Sequence, residues 1–499
     1  MHEADTGTST DGNGAAHAAH VVVIGGGIAG LAAAHRLVGT GARVTLLEAS
    51  DRLGGKLHAG ELAGIPVDLG AESLLARRPE AVGLAREVGL GDALQPPATA
   101  SAALWTRGAL RPLPRGSVMG VTADTEVLRE AGILSAEGLR RVAQDAELPA
   151  TEVGEDIAVG AYVAARVGRE LVDRLVEPLL GGVYAGDAYR ISLRAAVPAL
   201  YAAARTHATL GEAVRAAQGD AAAAARTGVI GAAATGPVFQ GIAGGVGRLP
   251  LAVADAVRAA GARVLTGTAA TGLARTPAGG WRVTTAAPAG SEVLDADAVV
   301  LATPAGPAAR LLADPAPAAA AELREVEYAS MALVTMVLRR ADLPAGLDGS
   351  GFLVPHADGR TIKASTFSGN KWGWSGEADP ELFALRTSVG RYGDEGDLKR
   401  EDGELVEASL ADLRAAVGLA ARPVAATVTR WDGGLPQYPV GHLARVARIR
   451  AAVAALPGLA VCGAPYDGVG IPACIASAEA AARAVTDGLA DRPAARRQP

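Results

Sequence analysis

The stretch His20–Lys56 reads HVVVIGGGIAGLAAAHRLVGTGARVTLLEASDRLGGK, and it decides the fold. Val21–Ile24 is short, β-branched and followed by glycines, the pattern of a buried parallel strand. Ile28–Gly39 is rich in small residues and reads as a helix, and Arg43–Glu48 as a second strand. Together they form a βαβ unit. Strand and helix are joined by Gly25-Gly26-Gly27-Ile28-Ala29-Gly30, a G-x-G-x-x-G. The first glycine permits a tight turn, Gly27 lets backbone approach a pyrophosphate, and Gly30 lets helix and strand pack closely. The helix N-terminus adds unpaired N–H groups and a positive dipole end. Glu48, at the end of the second strand, stands where a carboxylate accepts hydrogen bonds from a ribose diol. A carboxylate there also repels a 2′-phosphate, which disfavours NADP.

Directly after Glu48 and Ala49 comes the turn Gly54-Gly55-Lys56, where a plain dehydrogenase would run into a helix. This run resembles that of the amine-oxidase and protoporphyrinogen-oxidase flavoproteins, in which the turn and its basic side chain support the second phosphate. The competing reading of Lys56 is a solvated surface lysine. Further segments, spread from Val21 to about Ala480, resemble the bacterial porphyrinogen oxidases within that superfamily. They are Asp68-Leu-Gly70-Ala71-Glu72-Ser73, Leu113–Gly120, Glu177-Pro-Leu-Leu-Gly-Gly-Val-Tyr184-Ala-Gly-Asp187, Thr429-Arg-Trp431, Pro436–His442 and Gly468-Val469-Gly470-Ile471-Pro472-Ala-Cys474. Two departures stand out. The family commonly has Gly-Pro where this chain has Gly70-Ala71, and Pro-Asp-Cys where it has Pro472-Ala473-Cys474.

The resemblance implies an α/β fold. It has a discontinuous Rossmann-like FAD-binding domain (20–76, 236–306 and 456–491) and a mixed α+β substrate domain (77–100, 196–235 and 307–455). A helical subdomain (101–195) completes it, with disordered tails at 1–19 and 492–499. It implies FAD as cofactor, with Gly25–Gly30, Glu48, Ala49 and Lys56 holding the ADP half. Gly70, Ala71, Glu72 and Ser73 would approach the flavin, Ala270 the adenine, and Trp431 the flavin surroundings. Val469, Gly470, Ile471 and Pro472 would lie at the isoalloxazine, next to a final helix read over Ile475–Ala490. The activity implied is oxidation of coproporphyrinogen III to coproporphyrin III in heme biosynthesis, with dioxygen as acceptor and hydrogen peroxide as product. Protoporphyrinogen IX is the alternative substrate, and other heme-pathway enzymes are candidate partners. No catalytic acid or base is assigned. Arg78, beside Arg77, and Lys371 are the substrate-side cations, since guanidinium and ammonium groups suit carboxylate arms. For both, a solvated surface charge is the competing reading.

Composition limits the rivals. The 499 residues carry 47 basic and 53 acidic side chains, a net charge of −6, so nothing global points to nucleic acid. Five Trp, eight Tyr and four Phe leave little material for the aromatic cage of a flavin amine oxidase. An escort protein that has lost FAD is a second rival, and the intact glycine motif argues against it. The eight histidines form no metal-binding spacing. Two cysteines, Cys462 and Cys474, favour a reducing compartment, hence the cytoplasm. Thr227–Gly247 is uncharged but glycine-rich, and reads as loop, not a membrane span. The charges Arg140, Arg141, Asp145, Glu147, Glu152, Glu155 and Asp156 point to a helical region that does not enter a membrane, which favours the four-carboxylate copro substrate.

Overall fold

The structure, a computed structural model, describes residues 18–226, 237–288 and 290–491. The tails read at 1–19 and 492–499 lie outside it apart from Ala18 and Ala19, as do residues 227–236 of the glycine-rich stretch. The chain opens with β1 (His20–Ile24), α1 (Ile28–Val38) and β2 (Arg43–Leu47). Past a short hairpin at Ala59–Asp68 and a helix at Pro79–Glu87 come β3 (Ala102–Thr106) and β4 (Ala109–Pro112), and then a helical region that contains α2 (Glu177–Tyr184). Next come α3 (Arg248–Ala259), β5 (Arg263–Leu265), β6 (Ala269–Arg275), β7 (Trp281–Ala286), β8 (Val293–Ala296) and β9 (Ala298–Leu301). After these the chain forms β10 (Tyr328–Arg339), β11 (Gly351–Leu353), β12 (Ile362–Thr366), β13 (Leu382–Val389), α4 (Asp402–Val417) and β14 (Ala425–Pro436). It ends with β15 (Leu459–Val461) and α5 (Ile471–Ala490).

Two sheets position the site. The first has the order β5-β2-β1-β9-β15 and is parallel throughout. Its strands come from three separate stretches of chain. Parallel strands need both faces covered. Here α1, α3 and α5 pack on one face, and β6–β8 with the helices Ala305–Leu311, Pro317–Arg324 and His442–Ala454 cover the other. Val21, Val22 and Val23 are therefore fully buried. The second sheet has the order β14-β10-β13-β12-β11-β3-β4. Along β10, Ala332, Val334, Met336 and Leu338 face α4, while Val337 packs against Ile65 and Val67 of the first domain. The alternation of a strand thus splits the sheet into a core face and a face turned to the first domain.

Two expectations need correction. The stretch read as helical from 101 begins with a hairpin that joins the second sheet: Leu104 pairs with Leu353 and with Arg111. Its signal was the alternation around the two-residue turn Arg107-Gly108, where both residues have positive φ (55° and 74°). The final helix starts at Ile471, not Ile475, because Pro472 sits in the first turn, where a missing N–H costs nothing. Some charges of the helical region are internal. Asp145 is buried against Arg166 (2.7 Å) and accepts N–H bonds from Leu210 and Gly211, and Asp156 ties Ser192 to Gly441. Among the described residues, no helix is long and apolar enough to cross a membrane.

The tightest point of the first domain is Gly30, where a Cβ would lie 1.8 Å from the Gly25 carbonyl oxygen. Gly30→Ala is expected to destabilise the chain by at least the ~1–3 kcal/mol typical of overpacking. Chemical denaturation checks this, and an unchanged midpoint would contradict the packing described.

Candidate active site

The glycine motif forms an open cradle at the carboxyl end of β1, where ligands of open α/β sheets bind. Gly25 has φ +113°, and a Cβ there would meet the Ala302 carbonyl at 2.7 Å. Gly26 donates its N–H to Glu48 Oε2 at 2.7 Å, and a Cβ on it would collide with Glu48 and Leu53. Gly27 differs: nothing lies within 4 Å of the position of its missing Cβ. The space beside it is open, and the first residues of α1, Ile28 and Ala29, are buried behind it. The Gly54-Gly55 turn packs on the same spot, with Gly54 N–H donating to the Gly26 carbonyl at 2.8 Å. The Glu48 main chain is held from the other side by Leu265 and Thr268. Half-exposed Ala270 therefore stands beside Glu48 and exposed Ala49.

Lys56 connects this cradle to the next loop. Its carbonyl accepts the Ala71 N–H at 3.0 Å and would touch any Cβ on Gly70. The Trp431 indole N–H donates to the Leu69 carbonyl at 3.1 Å, so the ring lies against Gly70. The Lys56 ammonium is half-buried, forms no ion pair among the described residues, and has its pKa lowered by burial. The N-terminus of α5, at Gly470, Ile471 and Pro472, presents the positive end of a 20-residue helix beside half-exposed Val469.

Glu72 turns away from this opening into a buried ion cluster. Its carboxylate takes Arg386 Nε at 2.6 Å, the Trp372 indole N–H at 2.6 Å and Lys371 Nζ at 3.4 Å. Burial alone would raise this carboxyl; Arg386, Lys371 and the indole outweigh burial and hold it at about 2. Arg386 also donates to the Gly70 carbonyl at 2.7 Å, so the cluster clamps the Gly70–Ser73 loop from beneath. Asp68 does similar work one turn earlier: it accepts the N–H groups of Val246 and Gly247, both at 2.9 Å, at the start of α3. Burial nevertheless pushes its pKa up to about 6.

The substrate-side cations sit apart from one another. Arg78 pairs with Glu80 and its side chain is 41% exposed. Lys371 is taken up by Glu72 and lies over the Trp372 ring. His442 is buried, stacked on Tyr438 at 4.2 Å, with burial lowering its pKa to about 4. Sequence reasoning did not single out Arg386. Its one signal is that it is the only charge in the strand Leu382–Val389, on the opposite face from Phe383 and Leu385. Between Trp431 and α2 the second sheet leaves half-exposed Met331, Leu353, Ala364 and Ser388, opposite exposed Gly182 and Val183. This part-covered, mostly apolar sheet face, the crevice, runs from beside the Gly70 loop toward α2.

The model of the family described as flavin containing amine oxidoreductase matches residues 28–486. The chain belongs to this family. It is 38% identical to the coproporphyrinogen III oxidase of Mycobacterium tuberculosis over 477 residues, 94% of this chain and 97% of that one. With the coproporphyrinogen III oxidase of Bacillus subtilis it shares 31% identity over 94% of this chain and 98% of the relative. A solved structure described as a protoporphyrinogen oxidase, from Exiguobacterium sp. 255-15, superposes with a TM-score of 0.80 at 32% identity, covering 95% of this chain and 99% of the other. As a flavin oxidoreductase the protein needs a cradle for its cofactor, and the residues present fit one. Gly27 leaves open space at the strand end, Lys56 has no ion-pair partner among the described residues, and α5 begins with an uncapped helix N-terminus. Among the described residues no His, Cys, Asp and Glu cluster could hold a metal ion.

Two expectations follow. Gly27→Val should abolish flavin retention, read as loss of visible absorbance, at a stability cost of only about 1 kcal/mol for a poorer helix cap. Flavin retained in full would show that the cradle serves no ligand. Glu72→Gln leaves Arg386 and Lys371 without their carboxylate and should cost about 3–5 kcal/mol at neutral pH. Because Glu72 titrates below its ordinary 4.5, its contribution is complete above that pH and fades as pH falls toward 2. Denaturation midpoints from pH 3 to 7 should therefore show a flatter acid limb in the variant than in the wild type.

Proposed function

We propose that the protein is an FAD-dependent oxidase of coproporphyrinogen III, acting in heme biosynthesis in the cytoplasm. The observation that carries this reading is the extent of the likeness. Relatives named for this activity align over both the cofactor domain and the crevice, which includes the Glu177–Asp187 run on α2. A porphyrinogen is a broad apolar macrocycle with carboxylate arms, and a part-covered, mostly apolar sheet face that starts at Trp431 suits it. Bound flavin supplies the two-electron acceptor. Dioxygen takes the electrons on as hydrogen peroxide, and three rounds complete the aromatic porphyrin.

The rest is asked of the chain itself. Glu48 accepts the Gly26 N–H on one oxygen and both the Ser50 N–H and hydroxyl on the other, which leaves one lone-pair site for a ribose hydroxyl. Such a ribose belongs to the adenosine half, which is what favours FAD over a mononucleotide. The Gly26–Gly30 turn and Lys56 would hold the phosphates. The clamp of Arg386 and Glu72 fixes the Gly70–Ser73 loop, and Trp431 closes its edge against water. The N-terminus of α5 stabilises negative charge gained by the ring system. No residue is assigned as catalytic acid or base, and the pyrrole nitrogens and solvent would handle the protons.

An amine oxidase would place an aromatic cage at this point, whereas here the indole of Trp431 is the aromatic group among the nearest neighbours of Gly70. An escort protein without cofactor has no use for the open face of Gly27. The deciding experiment is aerobic turnover of coproporphyrinogen III and protoporphyrinogen IX, followed by porphyrin fluorescence and peroxide release. The purified protein should be yellow, release FAD on heating and favour the copro substrate. No turnover of either by the flavin-loaded protein would overturn the reading. Arg78 remains the proposed cation at the mouth of the crevice. Being exposed and paired with Glu80, it should contribute no more than about 1 kcal/mol, so Arg78→Ala should raise KM less than about fivefold with flavin content unchanged.

A further inference from the structure

At the far end of the crevice lie two buried cations that the cofactor and the first domain do not use. Lys363, in β12, is 7% exposed, and its ammonium has no hydrogen-bond partner. Arg391, just past β13, is 8% exposed. One of its terminal nitrogens donates to the Val354 carbonyl at 2.9 Å, but its Nε donates to nothing. Glu177 of α2 is the nearest carboxylate, 3.8 Å from Arg391 Nε, and its other oxygen accepts the His356 N–H at 3.3 Å. Asp394, Asp397 and Asp412 also attract Arg391, whereas of these four carboxylates Glu177 is the one that acts on Lys363. A small cavity lined by Lys363, Arg391, Glu177, Gly182, Gly186 and Val354 opens between the two cations.

Strand register places this cavity relative to Trp431. Trp431 pairs with Met331, whose neighbour Ala332 pairs with Val389, and Val389 pairs with Ile362. Ala332, Val389 and Ile362 all pack toward α4, so Met331 and Trp431 lie on the opposite face. Lys363 occupies the irregularity between Ile362 and Ala364, which turns it toward α2 on that same face. The separation is three strand spacings, about 14 Å. This is comparable with the span of a tetrapyrrole and one propionate arm.

We propose that the Lys363–Arg391 cavity seats one carboxylate arm of the macrocycle, with the ammonium and guanidinium gripping it at the end of the crevice remote from the flavin loop. The proposal rests on the porphyrinogen reading and adds the anchor that reading lacks. A buried ammonium without a partner is costly unless it becomes neutral or gains an anion. Burial and Arg391 push Lys363 down to about 7 despite Glu177, and an arriving carboxylate would hold it charged. Gly182 keeps the mouth open: a Cβ there would meet Leu353 at only ordinary contact distance, 3.6 Å.

The test uses the flavin-loaded enzyme and titrates coproporphyrin III by fluorescence quenching. Lys363→Met should weaken binding on the order of 10- to 100-fold and raise KM for coproporphyrinogen III. Flavin content should hold, and the melting temperature should be unchanged or higher. Lys363→Arg, which keeps the charge, should recover most of the affinity. Gly182→Val, which narrows the mouth at an exposed position, should weaken binding without altering charge. Sodium acetate distinguishes an arm from a free carboxylate. Competition with coproporphyrin in the wild type but not in Lys363→Met supports the seat, whereas acetate binding with full coproporphyrin affinity in Lys363→Met overturns it. Equal affinity in the wild type, Lys363→Met and Gly182→Val also overturns it. If the functional reading itself is wrong, the wild type neither binds nor oxidises any porphyrinogen, a result distinct from failure of the seat alone.

Discussion

Everything in the site hangs on the meeting of Gly26, Glu48 and Gly54. One N–H donates to a carboxylate at the end of the neighbouring strand, and the carbonyl of the same glycine accepts from the following turn. These bonds fix two glycine turns face to face, with no side chain between them. Gly25 and Gly30 then press helix onto strand so closely that a methyl group does not fit. Rigidity at this point is what leaves the space beside Gly27 open, because the backbone cannot relax to fill it.

From that junction the constraint passes along the main chain. The carbonyl of Lys56 holds Ala71, and the Gly70 loop is pinned from below by Arg386, whose partner Glu72 is itself surrounded by Lys371 and Trp372. Two domains are thereby joined through buried charge as well as through apolar packing. Such a cluster is costly to desolvate, so it contributes definition of geometry more than net stability. The benefit falls on the loop that would face the reacting end of the cofactor.

The second sheet separates its duties by strand alternation. One face makes a core with α4, and the other is covered by the first domain at one end and by the helical region at the other. What neither covers becomes the crevice. Its two ends differ in chemistry, aromatic beside Gly70 and cationic beside α2, which is the polarity expected for an amphipathic ligand that must lie in one direction.

The sequence alone determined what depends on near neighbours along the chain. The βαβ unit, the spacing from Gly30 to Glu48, the Gly54-Gly55 turn and the short C-terminal strand-to-helix return are local patterns of hydrophobicity and glycine placement, readable without a partner. Tertiary structure decided the roles of the charges. Glu72 and Trp372 are 300 residues apart, and Arg386 reaches Gly70 across 316. Nothing local tells that Lys371 serves Glu72, or that Asp145 is internal. The hairpin Ala102–Pro112 had a visible turn, but its place in the second sheet depends on Gly351–Leu353, far along the chain. Lys363 reads as an ordinary lysine in a polar strand, and only folding buries it beside Arg391. A charge takes its meaning from burial and from partners, and both are fixed by contacts that local periodicity does not encode.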